Sequence, residues 1–436
     1  MARKLLNKIF KIKTTQTSEL FPMKTAQLLT CFALVVLTAC HNNTAIKPLD
    51  TQTNSDQAKT TEKNSNCLDS AYISLECADT VTATFDNDQQ LWVAYVLANH
   101  LYLQQSGDKG ESFSPPIQVN KIAENIAANG EYRPKIKFDQ QGNIFLTWTL
   151  ALEKRHTGHV RFSRSLDHGQ SFSTPITIND NLDVISHRFD DLLIGQNGEI
   201  FIAWLDARDK ELARSNKHDF LGTTVYYTWS KDHGASFEAN RPVHEHSCEC
   251  CRLAIALDND NLPVVLWRHV FEGQIRDQAI IKFQDWNTPG ELKRASVDNW
   301  KIEACPHHGP AMSISENGRY HLSWFSGSPE HQGLFYAYSD DQGKHFSNAQ
   351  AFGNSGAKHP HIANIADRVV IVWSEFDGKQ NLIQMIQSED SGLNWSTAKT
   401  IATSEGKSDY GFLLTDKDEV YLSWKTVSGY HFQVVE

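Results

Sequence analysis

"SLDHGQSF", residues 165–172, has four further copies in register: "SGDKGESF" (106–113), "SKDHGASF" (230–237), "SDDQGKHF" (339–346) and "SEDSGLNW" (388–395). Each follows an apolar strand, and upstream of it stands another strand ending in an aromatic residue. That second strand recurs seven times, as "LWVAY" (Tyr95), "IFLTW" (Trp148), "IFIAW" (Trp204), "PVVLW" (Trp267), "YHLSW" (Trp324), "VVIVW" (Trp373) and "VYLSW" (Trp424). A period of about fifty residues marks a repeat architecture in which no unit buries its apolar face alone. Polar turns such as "DQQG", "GQNG" and "SENG" join each aromatic strand to the strand before it, which is hairpin chemistry. The fourth unit keeps only Asp285 of the recurrent octapeptide, and the sixth has the short turn "IAD".

The octapeptides resemble the Asp boxes, or BNR repeats, of sialidase-like β-propellers, over about residues 70–436. The resemblance implies a turn between the third and fourth strands of each blade. There Ser and Asp side chains bond the loop backbone, Gly is left-handed and the aromatic packs beneath. Seven units imply an all-β, seven-bladed β-propeller; six blades, the number in true sialidases, is the second choice. The last unit ends without an outer strand, and "SAYISLE" (70–76) is expected to supply it and close the ring.

The 436 residues carry a formal charge of −11. Residues 1–39 hold six basic residues against the single acid Glu19, ahead of the apolar run "LLTCFALVVL" (28–37). This is a signal-peptide pattern too short to span a bilayer comfortably. Leu37-Thr38-Ala39-Cys40 resembles the lipobox of bacterial lipoproteins, which implies lipidation at Cys40, and Met23 would start a complete signal by itself. His41 after the cysteine implies outer-membrane sorting, facing the periplasm or the surface. Residues 40–69 then read as a polar tether. The chain without its first 39 residues has a net charge of −16, which disfavours nucleic acid and anionic headgroups as partners. The membrane is expected as a partner only through the lipid, and the body as a monomer.

In a propeller the starts of the inner strands and the loops after the aromatic strands share one face. The unusual residues fall there: Tyr132-Arg133, His187-Arg188, Cys248 to Arg252, Cys305 to His308, His359 to His361 and Asp409-Tyr410. Without Cys31 and Cys40, six cysteines remain: Cys67, Cys77, Cys248, Cys250, Cys251 and Cys305. Disulfides among the last four would staple blade four to blade five. Alternatively Cys248, Cys250, Cys251, Cys305, His307 and His308 form a soft-metal site for copper or zinc. In a regular strand Cys250 and Cys251 would point opposite ways, so that reading needs an irregular segment.

A carboxylate, sulfate or glycan ligand is the other expectation. Arg133, Arg188, Arg252 and Arg276 converge on the same face, with His187, Asp277, His308 and Tyr410. This would resemble the arginine triad and tyrosine nucleophile of sialidases, implying a glycoside hydrolase with Asp190 or Asp277 as acid, although no glutamate is placed beside Tyr410. The motifs "CECCR" and "CPHHGP" are similar to those of a subgroup of bacterial sialidase-like propellers. Three readings stand: a metal- or anion-binding module, a sialidase-type enzyme, and an interaction propeller with a disulfide-stapled face.

Overall fold

The computed structural model describes Cys67 and residues 72–436. The expected signal, the lipidated Cys40 and the tether lie outside the described residues, apart from Cys67. Seven antiparallel meanders follow one another along the chain. The first runs Val81–Phe85, Leu91–Leu97, His100–Ser106 and Ile117–Gln118. The other six begin at Lys135–Phe138, His187–Ile194, Ala254–Leu257, Ala311–Ile314, Lys358–Ile365 and Phe412–Thr415. Each inner strand packs against that of the next blade, and the seventh returns to the first. The chain is therefore a seven-bladed β-propeller, and the six-bladed choice is excluded.

The aromatic strands are buried because they lie second in each blade, covered on both faces by neighbouring sheets. Trp148, Trp204, Trp267, Trp324, Trp373 and Trp424 are all at most 2% exposed. Continuous apolar runs such as Ile200–Leu205 fit that double burial.

The Asp boxes are built as the resemblance implies. In 165–172 the Ser165 hydroxyl donates to Asp167 (2.6 Å) and accepts the Gly169 N–H (2.8 Å). Asp167 in turn accepts the Ser171 N–H at 2.9 Å and its hydroxyl at 2.6 Å. These bonds, led by those from Ser165 and Ser171, hold the Asp167 carboxyl down at about 2.

The box glycines do more than relieve the turn. Each has positive φ and lies against the preceding blade: Gly169 on Trp92, Gly234 on Phe162, Gly343 on Ile280, Gly392 on Tyr336. Gly110 of the first blade lies on Phe432 of the seventh, so the same contact closes the ring.

The expected outer strand at 70–76 is not formed by its described residues, 72–76. Leu75–Cys77 is instead a 3₁₀ turn, with the Ser74 hydroxyl accepting the Glu76 N–H and a Cys67–Cys77 disulfide tying it down. The seventh blade has three strands, Phe412–Thr415, Val420–Thr426 and Gly429–Val434. Leu75 and Ala78 cover its edge by packing in one cluster with Tyr430 and Phe432. Phe85 stacks edge-on against Tyr421 (5.2 Å) and Lys109 pairs with Asp416 across the same seam.

A Cβ at Gly392 would come within 1.9 Å of the Tyr336 hydroxyl, whereas at Gly110 it would meet Phe432 at 3.4 Å. Gly392→Ala should therefore lower stability by about 3 kcal/mol and Gly110→Ala by about 1 to 2, the strain of positive φ alone. Denaturant melts check this; equal losses would show that the glycines serve only their own turns.

Candidate functional site

Cys248 to Leu253 do not begin the inner strand of blade four, which starts at Ala254. They form a turn after the outer strand Arg241–Ser247 of blade three. That irregularity removes the objection to Cys250 and Cys251 sharing a centre. Cys248 Sγ lies 3.4 Å from Cys251 Sγ and 3.9 Å from Cys250 Sγ, and all three sulfurs fall within 4.8 Å of one another. The three residues are at most 3% exposed, packed against Phe189, Leu253 and Trp267.

The turn is surrounded by buried guanidiniums. Arg276 donates from Nη1 to Cys248 Sγ (3.2 Å) and from Nε to the Ile302 carbonyl (2.9 Å). Arg268 is 1% exposed and gives its Nη hydrogens to the carbonyls of Arg276, His308 and Phe325. Arg188 has the Ser186 hydroxyl on Nε, the Phe189 ring beneath it, and Cys250 and Cys305 as electrostatic neighbours. None of the three pairs with a carboxylate among the described residues. Hydrogen bonds from Cys250 and Cys251 hold the Cys248 thiol well below its usual range against burial, helped by Arg268 and Arg276. Cys250 is pushed up by its bonds to Cys248 and Cys251, and Cys251 by burial. Of the three, Cys248 is the thiol most readily ionised.

All four of Cys248, Cys250, Cys251 and Cys305 are free, so the expected disulfides between blades four and five are not formed; the one disulfide among the described residues is Cys67–Cys77. The six-residue metal set also contracts. Cys305 and His307 are exposed on the loop after Ile302, and neither they nor His308 join the sulfur cluster. His308 instead lies 4.5 Å from His359 with the two rings tilted, and its Nδ1 is buried and unpartnered.

A second constellation lies at the mouth of the ring. Glu131, which sequence reasoning missed, accepts from Arg252 (3.1 Å) and from His359 Nδ1 (3.0 Å). Burial pushes the Glu131 carboxyl up, but Arg252 and His359 outweigh it and hold the group at about 2. His359 is stacked on Tyr410 with ring centroids 3.5 Å apart, and Gly130 leaves room for that ring. Burial, then the charges of Glu131 and Asp409, push the Tyr410 phenol up to about 12. Arg133 makes a buried pair with Asp409 at 2.8 Å. Below this layer a cavity of about 390 Å³ is lined from all seven blades, with Arg133, Lys135, Asp190, Asp191, Arg252 and His361 among its walls.

Of the four arginines expected to converge, Arg133 and Arg252 line the cavity, whereas Arg188 and Arg276 stand beside the cysteine turn. Arg133 and Arg252 are neutralised by Asp409 and Glu131, and Arg276 faces a sulfur. His187 is fully buried inside blade three, bonded to Asp206 at 2.9 Å, away from the cavity. Asp277 is likewise buried and holds Arg294 and the N–H groups of Asn299 and Trp300. Asp190 accepts the Thr149 hydroxyl. Asp190 lines the cavity, whereas Asp277 does not. Glu131 was discoverable only by pairing "GEYR" with "HPH" more than two hundred residues away.

No protein-family model matches the chain, and no curated protein matches it. Among solved structures the chain is similar to polysaccharide lyase PL25-ulvanlyase, at 11% identity and TM-score 0.51, covering 81% of this chain and 90% of that one. It is similar to polysaccharide lyase Uly1 at 10% identity and TM-score 0.51, covering 82% and 90%. Hadza microbial sialidase Hz136 is matched at 14% identity and TM-score 0.47, covering 80% and 73%. The likeness is one of fold alone.

Glu131→Ala removes the only carboxylate that Arg252 pairs with and leaves His359 Nδ1 without its acceptor. A loss of about 3 kcal/mol in a urea melt is expected. An unchanged midpoint would mean that these pairs do not hold the mouth together.

Proposed function

We propose that this propeller is a soft-metal-binding protein of the cell envelope, in which Cys248, Cys250 and Cys251 hold one Cu(I) ion. The carrying observation is the buried sulfur triad set among three guanidiniums that pair with no carboxylate. Buried cations need compensating negative charge, and thiolates are the anions within reach. Cu(I) with three thiolates is a dianion, which would offset two of the three positive charges of that shell. Zinc prefers a fourth donor, and the described residues offer none within the cluster. Ligation would release the protons of Cys250 and Cys251 to solvent. It would also protect three close thiols from oxidation in the oxidising compartment that the Cys67–Cys77 disulfide suits. Cys40 would tether the body to the outer membrane by its lipid, and the 390 Å³ cavity would remain for a small ligand.

The glycan reading has support in the cavity and in two fold neighbours named as polysaccharide lyases. A sialidase-type mechanism suits the geometry poorly. The two arginines that line the cavity, Arg133 and Arg252, are already paired, and a Tyr410 held at about 12 beneath His359 is not an activated nucleophile. A fluorogenic sialoside should show no turnover above background in either the wild type or Tyr410→Phe; turnover lost in Tyr410→Phe would restore that reading.

For the metal, the reduced full chain should withdraw one equivalent of Cu(I) from its bicinchoninate complex under anaerobic conditions. Cys248→Ser and Cys250→Ser should each weaken binding by at least about 100-fold. Failure of the wild type to withdraw Cu(I) with its thiols reduced would overturn the proposal.

A further inference from the structure

The axial cavity holds charges that neither the cysteine turn nor the mouth uses. Lys135 and Lys137 of the inner strand Lys135–Phe138, with Asp190 and Asp191 of the inner strand His187–Ile194, line it from neighbouring blades. Two cations therefore share a wall with two anions, yet no ion pair joins any of the four to another side chain among the described residues. Lys135 donates to the Arg133 carbonyl at 2.7 Å, Asp190 accepts the Thr149 hydroxyl at 2.9 Å, and Asp191 accepts the N–H of its neighbour Leu192 at 2.9 Å. Asp190 is 3% exposed, and its Oδ2 is buried without a partner. Burial pushes Lys135 down and Asp191 up, and the charges they exert on each other offset this only in part.

Consecutive residues of a regular strand point to opposite faces. Asp190 and Asp191 both reach the cavity because the pairing of their strand with Ile200–Asp206 slips between Ala203 and Leu205, and Phe189 takes φ +60°. A left-handed aromatic residue is a strained choice, and here the strain sets two carboxylates on one cavity. From blades four, five and seven the half-buried Ile255, Met312 and Leu414 give the same cavity apolar walls. The layer of Glu131, Arg252, His359 and Tyr410 covers its upper end. At the other end Lys137 and Thr415, which stand late in their strands and away from that layer, are exposed. The cavity therefore opens on the face that carries the Asp boxes.

We propose that this cavity binds a free α-amino acid with an apolar side chain, its carboxylate against Lys135 and Lys137, its ammonium against Asp191 beside Asp190, and its side chain over Ile255, Met312 and Leu414. A zwitterion brings counter-charge of both signs in one molecule. A neutral sugar would leave all four charges without a counter-ion, and a simple anion would leave the aspartates without one. The volume of about 390 Å³ lies within the range of small-molecule sites. This site is separate from the cysteine turn and stands whether or not that turn binds copper.

Equilibrium dialysis of radiolabelled L-leucine against the full chain tests this, with isocaproate, which lacks the amine, and isopentylamine, which lacks the carboxylate, as competitors. One equivalent of leucine should bind, and each analogue should displace it at least about 30-fold less effectively than unlabelled leucine does. Asp191→Asn and Lys137→Gln should each weaken leucine by a similar factor. Lys137 is exposed, so its variant keeps the fold, and a urea melt checks that Asp191→Asn does too. No bound leucine, displacement by either analogue as readily as by leucine, or full affinity in Lys137→Gln and a folded Asp191→Asn would overturn the proposal.

Discussion

Buried positive charge without a matching carboxylate is the constraint on which the candidate site depends. Arg188, Arg268 and Arg276 are each at most 8% exposed. They are held by carbonyls, a hydroxyl and a sulfur. A guanidinium cannot lose its proton in a protein, and none of the three pairs with a carboxylate among the described residues, so ionisation of the thiols would offset part of this charge. The turn at 248–251 presents those thiols to a common point, and Arg276 links Cys248 to the Ile302 carbonyl of the next loop. The mouth of the ring shows the opposite solution. There Arg133 and Arg252 have Asp409 and Glu131, and the resulting neutral layer is structural in its chemistry.

The scaffold makes this contrast possible by bringing one strand from each repeat to a shared axis. Its rigidity comes from the Asp boxes, whose serine and aspartate close the turn and whose glycine touches the preceding blade. That contact runs from blade one back to blade seven, where a hydrogen-bonded outer strand is missing. The ring is thus closed by packing, with the 3₁₀ turn Leu75–Cys77 covering the open edge.

What was legible in the sequence was local or periodic. The boxes and the seven aromatic strands carry their own spacing, and they gave the blade number. "CECCR" was visible as a cluster, but a strand reading split its sulfurs to two faces; the turn that reunites them depends on the bulged pairing of 241–247 with 223–227. Closure by 70–76 was wrong because strand propensity was weighed without the disulfide at Cys77. Glu131 was missed because its meaning lies in a pair from different blades, Glu131 with His359, that no local pattern announces.

The central claim is that three cysteines from one buried turn bind a soft ion as an anionic thiolate complex facing three arginines. X-ray absorption at the copper edge of the Cu(I)-loaded full chain tests it most directly. The account predicts copper in the monovalent state with three sulfur neighbours at one distance and no nitrogen or oxygen neighbour. Two sulfurs with a nitrogen, or four sulfurs including Cys305, would contradict it.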